Sequence, residues 1–325
     1  MTRQRSHLER LQATDGYFSP ESMVRRLGNS PVTPFLGGGA AVLLQVAHPL
    51  VACGVVDHSG YDRNLWRRLV RTLQALYLVT FGDCAEAERA GATVRAVHAR
   101  VHGVTRERLG RFPPGTSYSA TDPELMRWVH ATLVYSSLAA YERFVEPLTP
   151  AERERYHEEM NLVARLFGTP AEALPRSYRE FRAYFDGELR GDTIAVTEPA
   201  RRVAGVILAA RLPAPVRLLA PAHRLATTSI LPAELRSEYG LRWTGLHHLA
   251  LPLAGVSVRS ATAPILGIAA RLPGVALRRS SGGSTPRRSS SPSAPQPGLH
   301  SRRARCSPPR GASGDCTAPR RRTTS

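Results

Sequence analysis

The chain has 325 residues, 42% of them hydrophobic, which is enough for a large buried core, and all 44 of its cationic side chains are arginine. Without lysine there is no Schiff-base nucleophile, no lysine-anchored phosphate loop and no lysine general base, so aldolase, pyridoxal and Walker-type chemistries are excluded. The net charge of +18 is uneven: residues 277–325 carry 11 Arg against the single acid Asp315, which leaves +8 for residues 1–276 and argues against specific nucleic-acid binding by the body.

Met1 to Ser30 is polar and contains no apolar signal core. Arg25-Arg26, the apolar run Gly37 to Leu44 and Leu50-Val51-Ala52-Cys53 together imitate an export signal, but Gln45, His48 and Pro49 interrupt it. The segment reads instead as a buried helix broken near Pro49, with no transmembrane span. Cys53, Cys84, Cys306 and Cys316 form no C-x-x-C, so neither a zinc ribbon nor a disulfide framework is indicated. Two cysteines in a large body suit a reducing compartment, and a cytoplasmic location is expected.

From Leu65 the stripe Leu65, Leu69, Leu73, Leu76 is helical, and a second helix is expected over about Cys84 to Val104, with Val94, Val97, Val101 and Val104 along one side. Ser/Thr-x-x-Glu boxes at Thr121, Thr149 and Thr169 mark three further helix starts, each with Pro just inside. The first opens a run to about Val145 that is apolar nearly all round, as a central helix surrounded by protein would be. Further helices are expected near 176–189, 198–211, 214–228, 232–239 and 245–256. The fold class is all-α: a single multi-helix domain within residues 1–276, its helices beginning near residue 20. Residues 277–325 form a basic Ser/Pro/Arg tail that cannot offset its ordering entropy and is expected to be disordered.

His130 lies in the middle of the apolar run, where a neutral imidazole needs a partner, either a backbone carbonyl or a metal. Arg68 and Thr72 share a helix face with Arg71 beside them, a pattern that suits a carboxylate-bearing ligand as well as a solvated basic face. His98 and His102 are four apart on the expected helix and would chelate a metal, though the glutamate of H-E-x-x-H is missing. Glu154-x-x-His157 has di-iron spacing but occurs once, and reads as a solvent-facing coincidence.

Taken in order, His48-Pro49, Arg68-x-x-x-Thr72, Phe81-Gly82, Val97-His98-x-x-Val101-x-Gly103, Tyr118 through Trp128-Val129-His130-Ala131-Thr132, and Leu231-Pro-x-x-Leu235 through Trp243 resemble the family of latex clearing protein (rubber oxygenase) and the fungal oxygenase of mycophenolic acid synthesis. The resemblance covers about residues 30–245. It implies an all-α fold holding a non-covalent haem b, with His130 as iron ligand and Arg68 and Thr72 near the haem; on that reading Arg71 is expected beside them, and His48, His98 and His102 as supporting or propionate partners. It further implies oxidative cleavage of a C=C bond in a hydrophobic, isoprenoid substrate with O2; a haem-binding or haem-sensing protein without turnover is the alternative. Where the latex enzyme has a lysine that caps the iron, this chain has Arg71, which stays protonated and cannot ligate.

Overall fold

The computed structural model describes residues 16–30, 32–59, 61–209 and 220–253, without the side chains of 59 and 61–70. Helix α1 (Met23–Asn29) leads through a π turn (Thr33–Gly37) into α2 (Gly38–Val46), and α3 (Pro49–Ser59) follows. The expected break falls at His48–Pro49, because proline removes a helical N–H and disfavours helix in the residue before it. The two helical segments meet at 107°, and no single helix among the described residues is long and apolar enough to cross a membrane.

The run that imitates a signal is core: Leu43, Leu44 and Val46 have no exposed surface. Breaking α2 in the interior leaves carbonyls that need donors. The Tyr239 hydroxyl donates to Leu43 O at 2.6 Å, Trp128 Nε1 to Leu44 O at 3.2 Å and Ala195 N to Ala47 O at 2.9 Å.

Helices α4 (Tyr61–Phe81) and α5 (Cys84–His98) form an antiparallel hairpin about Gly82–Asp83. Asp83 and Glu86 make a reciprocal capping box, which is the strongest local stop-and-restart signal in this stretch. A Cβ on Gly82 would stand 2.4 Å from Leu78 O, so the turn requires glycine.

The second helix stops at His98, short of the expected Val104, and the chain turns into a small antiparallel ladder, β1 (His102–Val104) with β2 (Ser117–Ser119). The loop between them is folded by Thr105, whose hydroxyl donates to Pro113 O at 2.7 Å and accepts from Thr116 N at 3.0 Å. The valine stripe misled because Val97 and Val104 are more than half exposed and bury little.

Helix α6 (Pro123–Phe144) is the central helix expected, with Trp128 stacked on Phe185 at 5.6 Å between centroids. Its cap is Asp122, one residue after the predicted Thr121. Helix α7 (Pro150–Leu166) carries the predicted Thr149–Glu152 capping box intact.

The third box fails. Thr169 is buried and only a 3-10 turn (Ala171–Ala173) forms, because Pro175 holds Leu174 extended. Helix α8 (Tyr178–Arg190) starts instead from Ser177, whose side chain accepts from Glu180 N. Helices α9 (Glu198–Ala209), α10 (Ala220–Ile230), α11 (Ala233–Glu238) and α12 (residues 245–253) complete an all-α fold. The expected helical residues 214–219 and 254–256, and the tail 277–325, lie outside the described residues.

Candidate functional site

The predicted site residues separate into three places. The first is the α4–α5 hairpin. Counting outward from its turn, Arg68 on α4 and His98 on α5 lie at nearly equal distances, so the antiparallel pairing sets them at one level. Arg71 and Thr72 follow on α4 within the next helical turn, both exposed. The side chain of Arg68 lies outside the described residues. His98 is half-buried at the C-terminal end of α5. Arg68, Arg71, Thr72 and His98 thus lie along the two arms of one hairpin.

His102 does not share a helix with His98. It lies on β1, exposed, so the i, i+4 chelate expected from the sequence is not formed. The carbonyl of His102 is instead the partner of the His58 ring at 3.0 Å. Beside it Tyr118 donates to Asp57 at 2.7 Å, passing directly over Gly103, where a Cβ would come within 2.5 Å of the tyrosine oxygen. This bond ties β2 to the end of α3 just before the arginine-bearing helix begins.

The second place is the interface of α6 and α7. His130 is 6% exposed, and its Nε2 lies 3.1 Å from Asn161 Oδ1. Asn161 Nδ2 donates to Pro175 O at 2.9 Å, which fixes the amide orientation, so His130 Nε2 must be the donor. Burial, with the neighbouring His157 adding to it and the Asn161 bond opposing, pushes the His130 pKa down to about 4. The ring is therefore neutral near pH 7 with its Nε2 already engaged.

His157, read from the sequence as solvent-facing, has no exposed surface. Neither of its ring nitrogens has a hydrogen-bond partner among the described residues, and its pKa is lowered by burial. It packs on Phe181 at 5.6 Å. The signal was available: His157 lies three residues before Met160 and four before Asn161, on the buried stripe of its helix. Glu154, the other half of the di-iron spacing, accepts from Tyr178 N at 3.0 Å and serves as a cap for α8.

The third place is the α2–α3 break. His48 Nδ1 accepts from Leu50 N at 3.2 Å and its ring stacks on Phe112 at 5.6 Å. Burial first, then the positive charge of Arg111, pushes its pKa down to about 4, so it is neutral and used locally. Cys53 nearby is buried, and desolvation pushes its thiol up to about 11, which makes it a poor nucleophile.

Among the described residues no three His, Cys, Asp or Glu side chains converge as a metal cage. The donor set of the hairpin is of another kind. Arg68 and Arg71 on α4 and His98 on α5 are residue types that suit an anionic ligand rather than a bare metal ion.

The family model described as "ER-bound oxygenase mpaB/B'/Rubber oxygenase, catalytic domain" matches residues 25–260. The chain is 27% identical over 211 residues to Uncharacterized protein Mb2261 of Mycobacterium bovis and, equally, to Uncharacterized protein Rv2237 of Mycobacterium tuberculosis, covering 63% of this chain and 79% of each relative. No solved structure matches.

Proposed function

We propose, from the premise that this chain belongs to the family of ER-bound oxygenase mpaB/B' and rubber oxygenase catalytic domains, that it is an oxygenase whose cofactor is haem b and whose substrate is a hydrophobic, isoprenoid-like alkene. The observation that supports the cofactor assignment is that Arg68, Arg71 and Thr72 on α4 and His98 on α5 belong to the two arms of one helical hairpin. His98 is the residue that would hold the iron. His130, the ligand implied by sequence resemblance, spends its Nε2–H on Asn161 and lies between two packed helices, so its role is to hold α6 to α7.

When bound, a haem would supply the iron at which O2 is activated, and the chemistry is cleavage of one C=C bond with one O2 to give two carbonyl groups. The chain's own residues have simpler tasks. His98 would hold the cofactor; Arg68 and Arg71 would set fixed positive charge against its propionates, and neither can lose its proton or ligate iron. The Thr72 hydroxyl offers a short donor one helical turn from Arg68. The Gly82 turn and the Asp83–Glu86 box fix where α4 ends and α5 begins.

Visible spectroscopy of the purified full chain titrated with haemin tests this reading. About one haem per chain is expected, with a Soret band that His98→Ala loses and His130→Ala keeps. Arg68→Ala and Thr72→Ala should keep the haem and shift its spectrum. Because Arg71 provides no cap for the iron, the ferrous protein should take up carbon monoxide readily. A chain that binds no haem, or a Soret band lost in His130→Ala and kept in His98→Ala, would overturn the assignment.

A further inference from the structure

The face of the molecule built from α10 and α12 carries a feature that oxygen chemistry does not use. Leu246 and Leu249, one helical turn apart on α12, are each 76% exposed, while Leu251 on the same helix packs inward on the core. Beside them Trp243 is held at the surface: its Nε1 donates to His248 Nε2 at 2.8 Å, its ring stacks on His247 at 5.2 Å, and the Arg236 guanidinium lies 4.9 Å over it. The same tryptophan forms one wall of a cavity of about 320 Å³ lined also by Arg224, Thr228, Arg242 and His247. Of the two acids on α11, Glu238 is taken by Val196 N at 2.8 Å, leaving Glu234 as the other carboxylate on that helix.

We propose that this face docks on a lipid bilayer containing anionic lipid, with Leu246 and Leu249 entering the acyl boundary, Trp243 at headgroup level, and Arg224 and Arg242 on the lipid phosphates. The occupant must offer an apolar sink and negative charge side by side. A bilayer does so, whereas a nucleic acid offers phosphate but nothing for two outward leucines. Charge complementarity extends beyond the helix: residues 254–325 contain 13 Arg and one acid, Asp315, so the chain leaving α12 carries +12. A tryptophan beside outward leucines, with arginines from neighbouring elements around them, suits a surface that lies on a membrane without spanning it. The proposal needs no cofactor and stands apart from the oxygenase reading.

Co-sedimentation of the full chain with phosphatidylcholine vesicles, and with 3:1 phosphatidylcholine/phosphatidylglycerol vesicles, tests it. Binding is expected on the anionic vesicles, weakened about tenfold or more in the Leu246→Ser, Leu249→Ser double variant. The double variant should unfold at the wild-type temperature, since both side chains are already in water. Lipids brominated in the acyl chain should quench tryptophan emission in the wild type and much less in Trp243→Phe. Failure to sediment with anionic vesicles overturns the proposal. So does a double variant that binds as tightly as wild type, and so does displacement by transfer RNA that is the same in both, which would make the charge a nucleic-acid arm.

Discussion

At the scale of single residues, buried imidazoles decide how the protein responds to acid. His48 and His130 have pKa values near 4 in the folded chain, against about 6.5 when unfolded. Between those values the unfolded state binds more protons, so stability is complete above about pH 6.5 and falls as pH drops toward 4. Each ring contributes a loss of about 2–3 kcal/mol at about 1.4 kcal/mol per pKa unit. Urea unfolding at pH 7 and at pH 4.5 should show a smaller fall in His130→Gln, which retains a donor for Asn161 and does not titrate. An unchanged fall would mean that the ring is not held neutral. At pH 7, His130→Ala leaves Asn161 Oδ1 without its partner and should cost about 1–3 kcal/mol.

At the scale of elements, glycine sets how closely helices approach. A Cβ on Gly91 of α5 would lie 2.5 Å from Leu166 O at the end of α7, a carbonyl that also accepts from Arg95. Gly91→Ala must push the two helices apart and should lower stability by about 1–3 kcal/mol, read by thermal unfolding; Gly38→Ala, where a Cβ meets nothing, should not. Tyr118→Phe should loosen the tie between β2 and α3 and raise amide exchange in residues 102–104 while the helices stay protected. Helices with apolar stripes or complete capping boxes were legible in the sequence, as α6 and α7 show, because short-range chemistry determines them. The end of α5 and the failure of the Thr169 box were not, since there an exposed valine stripe and a Thr-Pro-x-Glu box competed with Thr105 and Pro175 and lost. In the candidate site, the spacing of Arg68 and Thr72 could be read directly. The pairing of His130 with Asn161 joins residues far apart in sequence, and only the packing of α7 on α6 reveals it.

At the scale of the whole molecule, the composition beyond 276 has little to bury. Deleting 277–325 should leave the unfolding temperature and the haemin titration unchanged while weakening vesicle binding. A drop in the unfolding temperature on deletion would show that the tail is part of the fold. The broken helix at His48–Pro49 has a consequence in time. Its carbonyls wait for Trp128, Ala195 and Tyr239, the last nearly two hundred residues downstream. At a synthesis rate of about 5–20 residues per second, the apolar run from Gly37 stays open on the ribosome for roughly 10–40 s, preceded by Arg25-Arg26. During that interval a reader of nascent chains meets something close to an export signal, and only completion of the chain as far as Tyr239 withdraws it.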